Sequence, residues 1–127
     1  MKNLLKVQKC LKCGATVITK EECNCGSDCG IQCCGEKMAM LEPNTVDASF
    51  EKHIPNYELV ENDILVTINH PMDKDHYIQW IALVKENKMK IIDLYPEGDA
   101  VARFPYIPHS TIYAMCNKHQ LWSKDVD

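Results

Sequence analysis

"DILVTINHPMDKDHYIQWIALVKENKMKIIDLY", residues 63–95, decides how the chain folds. Three runs within it are short and rich in β-branched and aromatic side chains: DILVTIN (63–69), YIQWIALV (77–84) and KMKIIDLY (88–95). HPMDKDH and KEN separate them. None of the runs has the period of an amphipathic helix, and their lengths suit strands. Working outward, the same pattern continues in YELV (57–60), AVARFPY (100–106) and TIYAMC (111–116), joined by EN, PEGD and IPHS. Strands at this spacing predict an antiparallel sandwich or barrel.

Residues 1–41 read differently. They contain seven of the eight cysteines (Cys10, Cys13, Cys23, Cys25, Cys29, Cys33 and Cys34) and four of the five glycines, with little aliphatic content. A segment this short cannot bury enough apolar surface to fold unaided, so it needs a metal, disulfides or a partner chain. LEPNT (41–45) reads as the connector, with Pro43 and Asn44 as turn residues. Disulfides would suit the cysteine density, but an odd local count and a reducing compartment favour metal ligation.

Within this head, CLKC (10–13) and CC (33–34) are two close pairs. Together they supply four thiolates, enough for a tetrahedral site holding iron or zinc. Gly14 and Gly35 follow the pairs and let backbone amides turn toward the sulfurs. An adjacent Cys-Cys pair is expected to widen one angle at the metal. KEECNCGSDCGIQ (20–32) adds Cys23, Cys25 and Cys29, so a zinc knuckle that uses some of these as ligands remains open.

Charge narrows the partners. A formal net charge of -4, a pI near 5.7 and no dense basic stripe argue against nucleic acid. MKNLLKVQKC lacks the long apolar core of a signal peptide, and no later run approaches a membrane span. The expectation is a soluble, cytoplasmic protein with mostly reduced thiols. The first 41 residues carry six lysines against four acids, and the remainder eight Lys/Arg against fourteen acids. An anion drawn to the larger region must therefore answer to a local field.

Four of the five histidines sit in restrictive contexts. His53 lies in EKHIP, His70 and His76 bracket HPMDKDH, and His119 closes CNKH, three residues after Cys116. Pro71 forces His70 into extended backbone at a strand end. The loop between His70 and His76 can return both imidazoles to one rim. Cys116 and His119 can present sulfur and nitrogen together from a tight turn. Taken singly, each histidine reads as an ordinary polar loop residue. Jointly, they and the only distal cysteine all fall at loop–strand junctions, and in a sandwich such junctions meet at one edge. His109, in YIPHS, has no companion and reads as a surface histidine.

NTVDASFEKHIP (44–55), HPMDKDHYIQWI (70–81) and CNKHQLW (116–122) together resemble the signature segments of the desulfoferrodoxins, the two-domain superoxide reductases. QKCLKC (8–13) and CCGEKM (33–38) resemble the desulforedoxin domain that precedes them, although the spacing between the pairs is longer than usual. The resemblance implies an all-β chain. Its parts are a small desulforedoxin-like metal-binding domain (1–41) and an immunoglobulin-like antiparallel β-sandwich (42–127) that carries the catalytic centre.

By the same resemblance, His53, His70, His76 and His119 are equatorial ligands of one iron and Cys116 is its axial sulfur, leaving a sixth position open. Superoxide is reduced there by one electron and two protons to hydrogen peroxide. Lys52 is implied as the cation that draws superoxide, and Glu51 as a carboxylate able to reach the sixth position in the oxidised state. Cys10, Cys13, Cys33 and Cys34 are implied as ligands of a second, rubredoxin-like iron. A rubredoxin or a flavoprotein reductase is the implied electron donor, and pairing through the head the implied homodimer.

Trp80, Tyr77, Ile78 and Trp122 are expected to pack around the ligands, with Ile54 and Pro55 stiffening the loop before them. Two readings from other classes stand beside the enzyme. One is a rubredoxin-like electron-transfer protein, and the other a zinc-stabilised interaction module.

Overall fold

The computed structural model describes residues 3–20, 30–44 and 53–127. Glu51, Lys52, Cys23, Cys25 and Cys29 lie outside the described residues. The described chain is all-β, without a helix, and divides into two compact units. One is Leu4–Glu42; the other is Asn3 together with Pro43–Asp127.

The smaller unit contains β1 (Lys6–Lys9), β2 (Thr16–Thr19), β3 (Gln32–Cys33), β4 (Glu36–Lys37) and β5 (Ala39–Met40). β1 is central in an antiparallel sheet of order β2-β1-β5, and β3 and β4 form a separate hairpin. Among the described residues its buried apolar side chains are few: Leu5, Val7, Cys10, Met38 and Leu41. So small an apolar set is consistent with the need for a metal.

The larger unit contains β6 (Asn56–Val60), β7 (Asp63–Thr67), β8 (Ile78–Lys85), β9 (Lys88–Asp93), β10 (Val101–Pro105), β11 (Thr111–Cys116) and β12 (Gln120–Asp125). They form two antiparallel sheets, of order β10-β7-β6 and β12-β11-β8-β9. Ile64 and Val66 of β7 and Ala102 and Phe104 of β10 alternate inward, as strands with one wet face must. They meet Ile81, Leu83, Ile112 and Ala114 of the other sheet in one apolar cluster that also includes Trp122. This is the expected sandwich. The six segments read as strands all correspond to observed strands, and TIYAMC matches β11 residue for residue.

Two features of the larger sheet position the site. β11 is buried along its whole length, so the sulfur at its end is held by a rigid element. The second is a register shift: Met115 pairs with Trp80, but Cys116 pairs with Ile78. The extra residue, Gln79, lets Ile78 rejoin the core face that strict alternation from Leu83 and Ile81 would have denied it. A bulge of this kind re-aims the strand end that leads out of the His70–His76 loop.

Two hairpins turn through glutamates in the left-handed region, Glu61 (φ 58°) in β6–β7 and Glu86 (φ 55°) in β8–β9. A residue with a Cβ pays roughly 1–2 kcal/mol there, while glycine pays only a smaller entropic cost. Glu86→Gly is therefore expected to raise unfolding stability by about 0.5–1 kcal/mol. A urea melt with an unmoved midpoint would contradict the strain assignment.

Candidate metal centres

Ligand atoms of His53, His70, His76, Cys116 and His119 lie within 4.8 Å of one another. Four loop–strand junctions of the larger unit deliver them. His53 leads into β6, His70 and His76 flank the crossover from β7 to β8, and Cys116 and His119 belong to the β11–β12 hairpin. Cys116 pairs with Gln120 across a three-residue turn, and Gln120 takes a φ of 63° to close it.

Each donor is oriented by its own surroundings. His70 is 8% exposed, and its Nδ1 donates to the Pro71 carbonyl at 2.5 Å. That bond fixes the tautomer and leaves the Nε2 lone pair facing Cys116 Sγ at 3.4 Å. Burial pushes the His70 pKa down to about 4, so the ring is neutral at physiological pH. His119 is also shifted down, first by burial and then by the neighbouring His53 and His76. Its backbone N–H donates to Cys116 Sγ at 3.4 Å, which holds the sulfur in place. Trp122 braces two ligands at once: its ring stacks on His53 at 4.7 Å, and its indole N–H donates to the His119 carbonyl at 2.8 Å.

Two observations indicate a cation. His53 Nε2 and His119 Nδ1 are 3.0 Å apart. Two imidazole lone pairs repel at that separation unless a proton or metal lies between them, and two nitrogens bound at right angles to one ion at ~2.1 Å would be ~3.0 Å apart. The other observation is His76 Nε2, buried without a hydrogen-bond partner among the described residues. An orphan of this kind costs about 1–3 kcal/mol unless something satisfies it. Four imidazoles and a thiolate suit iron, with borderline nitrogen donors and one soft sulfur.

The head assembles its own group. The Sγ atoms of Cys10, Cys13, Cys33 and Cys34 also lie within 4.8 Å of one another. Cys13 Sγ is 3.6 Å from Cys33 Sγ, and Cys33 Sγ is 3.9 Å from Cys34 Sγ. Thiolates ~2.3 Å from a tetrahedral ion are separated by ~3.8 Å. The adjacent pair thus has the spacing of an ordinary tetrahedral edge, not a widened one.

Local backbone explains how. Gly14 (φ 82°) turns the chain after the first pair. Cys34 (φ 54°) and Gly35 (φ 79°) are the two central residues of the β3–β4 turn, both left-handed as a type I′ hairpin requires. The Cys13 backbone N–H leads in holding the Cys10 thiol down to about 6. Hydrogen bonding with Cys13 and then Cys10 drives Cys33 up to about 12, and Cys34 is also raised. Cys10 is held down while Cys33 and Cys34 are held up, which is the imbalance that a bound cation removes.

Several expected neighbours are found where the packing reading put them. Ile78 pairs with Cys116, Trp122 stacks on His53, and Pro55 is buried, whereas Trp80 pairs with Met115, outside the apolar cluster that holds Cys116. His109 is exposed, at the opposite end of β11 from Cys116. Sequence reasoning missed Asn117, whose side chain and backbone bind Asp75 and Tyr77 on either side of His76. The only signal was its place in CNKH.

Known proteins repeat this arrangement of segments. The desulfoferrodoxin family model matches residues 45–125. The desulfoferrodoxin of Syntrophotalea carbinolica is 38% identical, over 98% of this chain and 99% of its own. That of Clostridium acetobutylicum is 36% identical, over 80% of this chain and 83% of its own. Among solved structures, the superoxide reductase of Treponema pallidum superposes with a TM-score of 0.70 at 27% identity, covering 95% of this chain and 98% of its own. The one-iron superoxide reductase of Giardia intestinalis covers only 61% of this chain, with a TM-score of 0.51 at 25% identity. With a four-histidine, one-cysteine group in one unit and a four-cysteine group in the other, matching the two-iron layout, the chain belongs to the desulfoferrodoxin family.

Proposed function

We propose that the protein is a superoxide reductase, which adds one electron and two protons to superoxide and releases hydrogen peroxide. The observation that carries this reading is the convergence of His53, His70, His76, Cys116 and His119 within 4.8 Å, in a chain whose structural relatives are superoxide reductases. Iron held by these five donors would supply the Fe(II)/Fe(III) couple and would have room for a small anion.

The chain's own residues supply the rest. Neutral imidazoles, kept so by burial at His70 and His119, add no negative charge that would repel superoxide. Cys116, its sulfur held by the His119 N–H, would be the donor that supplies electron density to the iron. Trp122, wholly buried, keeps water from the rear of His53. Lys52 is assigned as the cation that steers superoxide in, against the negative charge of the larger unit. Glu51 is assigned as the carboxylate that reaches the sixth position after oxidation.

The head (residues 1–41) is assigned to hold the second iron through Cys10, Cys13, Cys33 and Cys34, with the catalytic domain spanning 42–127. The electron donor is assigned as a rubredoxin or flavoprotein reductase, the assembly as a homodimer paired through the head, and the location as the cytoplasm.

Metal analysis tests the assignment. The full chain is expected to hold two irons, with a reddish thiolate band from the head and a blue form of the other centre on oxidation. His76→Ala is expected to lose the second colour and superoxide reduction while the head band remains. Colourless zinc in both centres of the native protein would end the reading.

Lys52→Ala is expected to slow the bimolecular reaction with superoxide by on the order of tenfold and to flatten its dependence on ionic strength. Pulse radiolysis with the same rate and the same salt slope as the parent would remove Lys52 from the steering role.

A further inference from the structure

We propose that Asn117 is a positioning residue that fixes where the His76 imidazole stands relative to the Cys116 sulfur, and so how firmly the His–Cys centre retains its metal. The proposal rests on that group being a metal centre. Asn117 follows Cys116 directly in the chain. Its Oδ1 accepts the Tyr77 backbone N–H at 3.0 Å, and its Nδ2 donates to the Asp75 carbonyl at 3.0 Å. Its own backbone N–H donates to the Tyr77 carbonyl at 3.2 Å.

The residues on both sides of His76 are thus gripped by the residue next to the sulfur. His76's own backbone is held from the other side: Asp73 N–H donates to its carbonyl at 3.0 Å, and its N–H donates back to Asp73 at 3.3 Å. With the backbone fixed on both flanks, the ring is left only its side-chain torsions. It packs edge-on against His70 at 4.7 Å and His119 at 5.0 Å, with Nε2 buried and unpartnered among the described residues.

The amide is specific to this task. It needs one donor and one acceptor on a short arm, to grip a carbonyl and an N–H two residues apart. Aspartate has the length and the acceptor but turns a carboxylate toward the Asp75 carbonyl. Alanine loses both side-chain bonds and keeps the backbone bond to Tyr77.

A residue that serves only to close a hairpin would alter stability and leave the metal undisturbed. Asn3 provides the comparison. It is likewise bonded through its amide, to the His109 carbonyl at 2.6 Å and the Glu86 N–H at 2.8 Å, but at the far end of β11 from the ligands.

The test uses the full-length, iron-loaded protein and its variants Asn117→Ala, Asn117→Asp and Asn3→Ala. Three quantities are read: the rate of iron transfer from the His–Cys centre to a ferrous chelator, the sulfur-to-iron band of the oxidised centre, and the melting temperature. The head's thiolate band serves as an internal reference. Asn117→Ala is expected to lose the His–Cys iron roughly 10–100-fold faster, as outer partners of metal ligands typically do, and to shift the sulfur band with the head band unchanged.

Asn117→Asp, which is isosteric and keeps the Tyr77 contact, is expected to fall between Asn117→Ala and the parent. Asn3→Ala is expected to lower the melting temperature with iron release unchanged. Parental release rates and an unshifted band in both Asn117 variants would overturn the proposal. So would Asn3→Ala matching their iron loss. A parent protein that holds no iron in the His–Cys group would overturn the metal-centre reading itself.

Discussion

Lone pairs that cannot satisfy one another are the constraint on which the larger unit turns. Four imidazoles and a thiol are driven into one small volume by the burial of His53, His70 and Cys116 and by the hairpin that carries His119. Hydrogen bonds to the Pro71 carbonyl and from the His119 N–H and the Trp122 indole orient the donors but do not neutralise them, and among the described residues His76 Nε2 has no partner. The fold thus carries a cost in the absence of a cation that it does not carry in its presence. Folding and metal binding become one free-energy problem, since a preformed set of donors rarely exists in the unfolded chain.

The sandwich was legible because it depends on period. β7 and β10 alternate cleanly, and β11 is a continuous apolar run of strand length. The ligands were legible as chemistry, since histidine at loop–strand junctions beside a lone distal cysteine is an unusual coincidence. β12 was not legible as a strand: QLWSKD is short and mixed, and its first half reads as part of the ligand motif. Nor was the shift at Gln79, since a bulge changes which residues face inward without changing composition. The Asn117 clamp was hidden for a different reason. Its side-chain bonds join residues 40 and 42 positions apart, and no local pattern encodes a contact of that range.

The two centres share a construction. In each, a strand ends in a tight turn that presents donors a few residues apart, and a left-handed residue closes the turn. Gly14 does this after Cys13, Cys34 and Gly35 do it within the β3–β4 hairpin, and Gln120 does it after His119. At Gly14 and Gly35 the conformation is nearly free, but at Cys34 and Gln120 it costs about 1–2 kcal/mol each. Such strain persists where the surroundings over-determine it. At Gln120 these surroundings are the six-residue β11–β12 register and the Trp122 indole bond to His119. At Cys34 the β3–β4 hairpin has only two residue pairs, too few to hold a strained cysteine unaided. Four sulfurs sharing one ion would add stabilisation there. A metal shared by four thiolates is therefore part of the head's fold, whereas in the larger unit a hydrophobic core that includes Cys116 shares that task with the ligands.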